Sequence, residues 1–386
     1  MQKPHIVFLS APFSGIEVSF RKMQGLVERR DDLRSSWIYV EWDPAEFSRT
    51  SAMVLRNWTL KASEVARRRV NRLMADGSRI DAIVSNSIVP MLFLRRRAPG
   101  IPIILSLDAT PRLLGTMAAH YDKTEPRAQA LRIWLDRELV AGGLYRKAAR
   151  LYPWSEFARE SLVRDYRVRP DRAEVLPPGI DLVEWPRPEP PGGATRSEGP
   201  VKLLFVGGDF ERKGGDLVLR LSRLPEFRNC EFHLVTRRFL GEKGENVHVH
   251  EGLAADSRKL RGLFSSSDLF LMPTRADFAP TMAVCEALAS GLPVVTSRIG
   301  GMDTVIAHGE NGFVAGVGAF EELARHTREL VENTGLRHRM AAAARGTAEQ
   351  KFDLEHNARY LVDSVLQACG KLQSSGVAET ARVSDG

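Results

Sequence analysis

FLMPTRADFAPTMAVCEALASGLPVVTSRIGGMDTVIAHGENGFV, residues 270–314, decides the fold. The apolar run Leu269–Met272 reads as a buried strand, and a polar loop carries the chain on to Pro280. A short helix follows and stops at Ser290-Gly291; a second strand, Pro293–Thr296, leads into Gly300-Gly301. Proline just inside a helix start and glycine just past its end are the punctuation such a helix needs. Glu286 falls mid-helix among small and apolar neighbours, where a carboxylate is costly without a partner. In a strand–helix–strand unit ligands gather at the carboxyl ends of the strands. The loops Thr274–Ala279 and Ser297–Asp303 both belong there.

Working backwards, Phe205-Val206-Gly207-Gly208-Asp209-Phe210-Glu211-Arg212-Lys213-Gly214-Gly215 predicts a strand, a glycine-rich turn and a helix opening near Asp216. Backbone N–H groups and two cations then meet at one spot, a physical recipe for holding a diphosphate. Further strands are expected near 201–206, 231–235 and 247–249. His248 and His250 alternate on the last of these, so they share one face, and a structural pair is expected rather than a zinc site. Residues 183–200, VEWPRPEPPGGATRSEGP, have linker composition. A helix over 354–368 follows the second domain, and the tail 373–386 has few apolar anchors and is expected to be disordered.

The first half alternates strands and helices as well, which argues for a parallel sheet. Strands are predicted over 5–9, 36–41, 82–85, 103–106, 151–153 and 174–176, with helices over about 20–30, 62–76 and 125–149. Ser14-Gly15 follows the first strand. Asp108, in Leu107-Asp108-Ala109-Thr110-Pro111, follows a later one. Three readings of Asp108 stand open: a contact to a sugar hydroxyl, an orienter of an acceptor, or an Asx turn before Pro111.

These segments together resemble glycosyltransferase family 4, whose GT-B fold sets two Rossmann-like domains face to face across a cleft, with a terminal helix crossing back to the first. The resemblance rests on the 270–314 block, the glycine-rich turn with Lys213, and Pro177-Pro178-Gly179-Ile180-Asp181, which the family carries just before its interdomain linker. It implies a first, acceptor-side domain over 1–182, a linker over 183–200, a nucleotide-sugar-binding domain over 201–350 and a crossover helix within 351–372. The family's acidic pair is spaced E-x7-E. Glu286 matches the second acid and would hold ribose hydroxyls. Strict spacing puts Phe278 at the first acid, with Asp277 one residue early; a loop one residue longer would bring Asp277 to that place. Lys213 falls on the family's phosphate-binding lysine. The family often has Arg directly after the first glycine, where this chain has Gly208, so either Arg212 takes over or that charge is missing. Gly15, Gly207, Gly300 and Gly301 fall on glycines near the donor, and Asp108 stands close to where many relatives put a His beside the reacting sugar. The Pro177–Asp181 turn reads as a hinge, with Asp181 as a cap.

The implied activity is transfer of a sugar from a nucleotide sugar to a hydroxyl acceptor, lipid-linked, polysaccharide or small molecule, with retention of anomeric configuration and no metal or other cofactor. Two other classes use the same donor site: a nucleotide-sugar 2-epimerase of GT-B fold, and a degenerate, non-catalytic sugar-nucleotide-binding protein.

Composition is compatible with this reading. The chain has 386 residues, 43% hydrophobic and 27% charged, long enough for two domains with cores. Cys230, Cys285 and Cys369 are scattered, which fits a reducing cytoplasm. No uncharged apolar run approaches the ~18 residues of a spanning helix. There is no D-x-D, no H-E-x-x-H, and no G-x-G-x-x-G after the first strand. Of the net +7, residues 1–180 carry 30 Lys+Arg against 20 Asp+Glu, and residues 181–386 carry 25 against 28. Arg67–Arg69 and Arg95–Arg97 are the densest runs. They are either a solvated face or an attraction to an anionic acceptor or an inner-membrane surface. No nucleic-acid-binding motif accompanies them.

Overall fold

The structure is a computed structural model that describes residues 3–10, 14–41, 58–94, 100–117, 120, 141–185, 199–255 and 257–370. The part of the expected 125–149 helix before residue 141, most of the linker, the tail from 373 and the Arg95–Arg97 run lie outside them.

In chain order the first domain contributes β1 (His5–Ser10), β2 (Arg34–Tyr39), β3 (Ala82–Ser85), β4 (Ile103–Leu107) and β5 (Arg150–Pro153). The second contributes β6 (Lys202–Val206), β7 (Glu231–Thr236), β8 (Val247–Glu251), β9 (Leu269–Met272), β10 (Val294–Ser297) and β11 (Gly312–Ala315). The sheets are ordered β2-β1-β3-β4-β5 and β11-β10-β9-β6-β7-β8, and every pair is parallel. Helices cover both faces of a parallel sheet, so its strands read as continuous apolar runs rather than alternating ones. LFLM in β9 and AIVS in β3 are buried at every position.

In the second sheet the strand order reverses between β6 and β9. That reversal is the topological switch point, where the loops after neighbouring strands part and leave a crevice.

Several boundaries differ from the sequence expectation. The first helix spans Ser14–Val27, so Gly15 lies in its first turn. The segment 174–176 runs beside β5 through two backbone bonds, from Glu174 N–H to Leu151 O (3.0 Å) and Leu176 N–H to Pro153 O (2.9 Å), without forming a regular strand. Pro280 stands before the N-cap of its helix rather than inside it. Thr281 is the cap, accepting the Val284 N–H, and the helix runs Met282–Ala289. Trp185, inside the expected linker, is buried in the second core, edge-on to Phe264 with ring centroids 5.1 Å apart.

The last helix, Leu354–Ala368, returns to the first domain. Leu361, Val362, Val365 and Leu366 join Phe8, Phe20, Val27 and Tyr152 in one core. Each such fully buried side chain contributes roughly 1.5–3 kcal/mol. The chain thus crosses between domains twice, and both crossings meet. Ile180 N–H bonds to Phe352 O (2.6 Å) and Leu354 N–H to Ile180 O (3.1 Å). Gly179 is required there, because a Cβ on it would fall 2.3 Å from Leu354 Cα. Asp181 caps the turn as expected, its Oδ1 accepting the Val183 N–H (3.0 Å).

Candidate active site

A cleft of about 770 Å³ opens between the carboxyl ends of the two sheets. Asp108 and Trp154, which follow β4 and β5, line it from the first domain; Gly207, Lys213, Asp277 and Glu286 line it from the second. The second-domain residues come from the loops and helix after β6 and β9, the strands at the switch point.

The centre of the site is an ion cluster. Lys213 Nζ donates to Asp277 Oδ1 at 2.7 Å, and Arg212 Nη1 donates to the same oxygen at 3.3 Å and to Ala276 O at 2.6 Å. Thr274 Oγ1 donates to Asp277 Oδ2 at 2.6 Å. The three charged side chains retain only 9–13% of their exposure. Burial pushes the Lys213 ammonium below the usual lysine range, while the facing Asp277 carboxylate pulls it back up. The two loops are joined through the backbone as well, by Arg275 N–H to Arg212 O (2.8 Å). Gly207 lets this cluster form, since a Cβ on it would lie 2.7 Å from Lys213 Cβ.

Glu286 is half-buried on the helix Met282–Ala289 and faces the cleft. Asp108 faces it from the other domain. Burial raises the Asp108 carboxyl above the usual range; bonds from the N–H groups of Asp108 and Ala109 pull the other way, and the nearby Asp277 charge adds to the rise. Asp108 therefore both lines the cleft and fastens its own turn. The helix Pro111–Thr116 that follows is capped separately, by Thr110 accepting the Leu113 N–H at 3.3 Å.

The place of the first acid needs a correction to the strict spacing. Phe278 borders the cleft, but its ring is buried among Leu113, Met117, Ala158 and Ala276, so it packs the domain interface and offers no polar atom to a sugar. Its carbonyl accepts from Ser155 Oγ of the first domain (2.9 Å). Asp277 does enter the site, engaged with the two cations. Gly300 and Gly301 stand behind this loop rather than among the cleft-lining residues. Gly300, at φ +61°, passes so close that a Cβ would lie 2.1 Å from Asp277 O, and Gly301 packs on Ser155.

Trp154, Asp209 and Arg237 line the cleft but were not singled out in the sequence. Trp154 and Arg237 directly follow a parallel strand, and that position is the signal that could have found them. Asp209 pairs with Arg212 Nε at 3.0 Å.

Elsewhere, Arg67 and Arg68 are both paired to Glu64 at 2.6–2.9 Å, so part of that basic run is neutralised. His248 and His250 do share a face, and His233 of β7 stacks with both, with ring centroids 4.9 and 5.5 Å apart. Among the described residues no group of three or more His, Cys, Asp or Glu is arranged to hold a metal ion, and no helix is long and apolar enough to cross a membrane.

Two family models match consecutive stretches: glycosyltransferase family 4 over residues 30–184 and glycosyl transferases group 1 over 193–347. The chain belongs to the group 1 glycosyltransferases of family 4. Its fold is GT-B. A D-inositol 3-phosphate glycosyltransferase of Nocardioides sp. is 27% identical over 314 residues, covering 73% of this chain and 66% of that one. The chain spans about two thirds or less of the length of such relatives. A sucrose-phosphate synthase structure from Thermosynechococcus elongatus superposes with a TM-score of 0.74 at 14% identity, covering 96% of this glycosyltransferase and all of that chain. Anabaena HepE, solved with UDP and glucose, gives 0.65 at 16% identity over 94% and 100% of the two chains. At these identities the structures speak for the fold alone.

Proposed function

We propose that this glycosyltransferase moves a sugar from a nucleotide-sugar donor to a hydroxyl acceptor, with retention of configuration and without a metal. The observation that carries the reading is the cluster of Lys213 and Arg212 at the glycine-rich turn after β6, at the switch point, with Glu286 beside it and Asp108 across the cleft. The donor's diphosphate would meet the two cations and the turn's N–H groups, and Glu286 would accept bonds from ribose hydroxyls. In transfer, the bond from the anomeric carbon to the diphosphate oxygen breaks and that oxygen keeps the electron pair. The acceptor oxygen takes the carbon, and its proton ends, directly or through water, on the departing diphosphate. Charge grows on the diphosphate as this happens, so fixed cations there favour the transition state over the ground state. Closing two domains on the two substrates supplies the alignment.

The Nocardioides relative is named for an inositol phosphate, and HepE was solved with UDP and glucose. A UDP-sugar and a hydroxyl acceptor bearing an anionic group are therefore the first compounds to try. The basic first half supports an anionic acceptor, and cytoplasmic location with peripheral contact at the inner membrane face belongs to the same proposal. The epimerase alternative has no support, since the relatives are named as glycosyltransferases. A thermal-shift panel of UDP-, GDP-, ADP- and TDP-sugars finds the donor. Incubation with that donor, with and without EDTA, then reads transfer and metal dependence, and NMR of the product reads the anomeric configuration. Tight donor binding with no nucleotide release under any acceptor would replace this reading with a non-catalytic binding role.

A further inference from the structure

The cations expected for a diphosphate are already engaged. Asp277 sits on both Lys213 and Arg212, and Asp209 takes a further nitrogen of Arg212. Position 208 is a glycine and has no side chain. Yet the space beside Gly208 is filled: a Cβ built there would lie 3.1 Å from Arg237 Nε and 3.5 Å from its Cζ. Arg237 follows β7, next to β6 in the sheet, and lines the same cleft as Lys213. It is exposed, and among the described residues it has no carboxylate partner within 4.0 Å, in contrast to Lys213 and Arg212.

From this geometry we propose that Arg237 is a ligand of the donor's diphosphate, reaching over Gly208 to supply from the neighbouring strand a cation that no carboxylate engages. Gly208 and Arg237 are then two halves of one arrangement, because a bulky residue at 208 and the present position of Arg237 exclude each other. A planar guanidinium suits the role, since it can grip two phosphate oxygens at once. The inference rests on the reading that the cleft takes a nucleotide sugar.

The test is titration calorimetry of the full chain with UDP, GDP and ADP and with the matching nucleosides. It uses wild type, Arg237→Ala, Arg237→Lys, Lys213→Ala and the double variant Gly208→Arg/Arg237→Ala. For whichever nucleoside diphosphate binds wild type, Arg237→Ala is expected to weaken binding roughly 10- to 100-fold, the range for one lost bond to a charged group. Nucleoside binding should not change. Arg237→Lys should recover part of the loss, and Gly208→Arg in the alanine background should recover more, since the removed side chain leaves room for it. Unchanged diphosphate affinity in Arg237→Ala, alongside a clear loss in Lys213→Ala, overturns the inference and leaves the proposed function standing. Equal losses for nucleoside and diphosphate also overturn it. If wild type binds none of these three diphosphates and does not bind TDP either, the proposed function falls and the inference with it.

Discussion

Asp277 Oδ1 lies 2.7 Å from Lys213 Nζ, so a carboxylate from the loop after β9 occupies the cation offered by the turn after β6. It also accepts from Arg212 and Thr274. Removing it leaves two buried cations without their shared counter-charge. Asp277→Ala is expected to cost about 3 kcal/mol in stability, the scale for breaking a buried pair from one side. Inorganic pyrophosphate should restore part of this, raising the melting temperature of the variant more than that of wild type. Equal shifts in the two proteins would mean that the cations do not face an anion site.

Lys213→Ala has the opposite balance. Asp277 keeps Arg212 and Thr274 as partners, so the fold should lose little. The departing diphosphate loses a fixed cation, and turnover should drop by about 2–4 kcal/mol in transition-state terms, as for other lost electrostatic donors. Steady-state kinetics beside a melting curve checks both halves, and near-normal kcat would remove Lys213 from the site.

Glu286→Gln keeps the shape of the side chain but exchanges an acceptor oxygen for a donor. Charge-assisted bonds to ribose hydroxyls weaken, so donor affinity should fall roughly 10-fold or more with the melting temperature nearly unchanged. A variant that melts early yet binds donor normally would make Glu286 a structural acid.

Asp108 gives a prediction in pH. Its carboxyl is raised in the fold, chiefly by burial, from a usual value of 3.8. The protonated form is therefore the one the fold favours, and its contribution is complete below 3.8 and is lost as pH rises through the raised value. At pH 7, above the usual value, this raised group is a burden on stability. Asp108→Asn should remove that burden and raise the melting temperature at pH 7, by roughly 2–4 °C for each 1 kcal/mol gained, with no gain at pH 3. Turnover should fall if Asp108 holds an acceptor hydroxyl. A pH-independent change in melting temperature would contradict the assignment.

The sequence shows the second domain more fully than the first. Leu269–Met272, Val294–Ser297 and the glycines at 207 and 291 carry their strand and turn signals locally, because buried parallel strands and helix ends depend on few neighbours. Lys213 and Glu286 could be placed for the same reason. The role of Asp277 could not be, since it depends on Arg212 and Lys213, more than sixty residues earlier in the chain. Phe278 was equally hidden: a ring in an otherwise polar loop has no reason to be there until Leu113, Met117 and Ala158 close over it from the other domain. Gly300 reads as a donor-contacting glycine on pattern alone, whereas its φ of +61° and its closeness to the Asp277 carbonyl belong to the packing of one loop on another.

The two chain crossings that meet at Gly179 and Leu354 have a mechanical consequence. Ile180 is hydrogen-bonded on either side of Asp353, to Phe352 and Leu354, and Glu184 beside them bridges Lys22 of the first domain (2.5 Å) to Arg261 of the second (3.0 Å). Both covalent connections between the halves run through one fastened spot, which makes that spot a fulcrum. The contact of Ser155 with the Phe278 carbonyl lies out on the arms. Any small rotation at the fulcrum would be multiplied at the jaws, which would gear the aperture of the cleft to residues away from its lining.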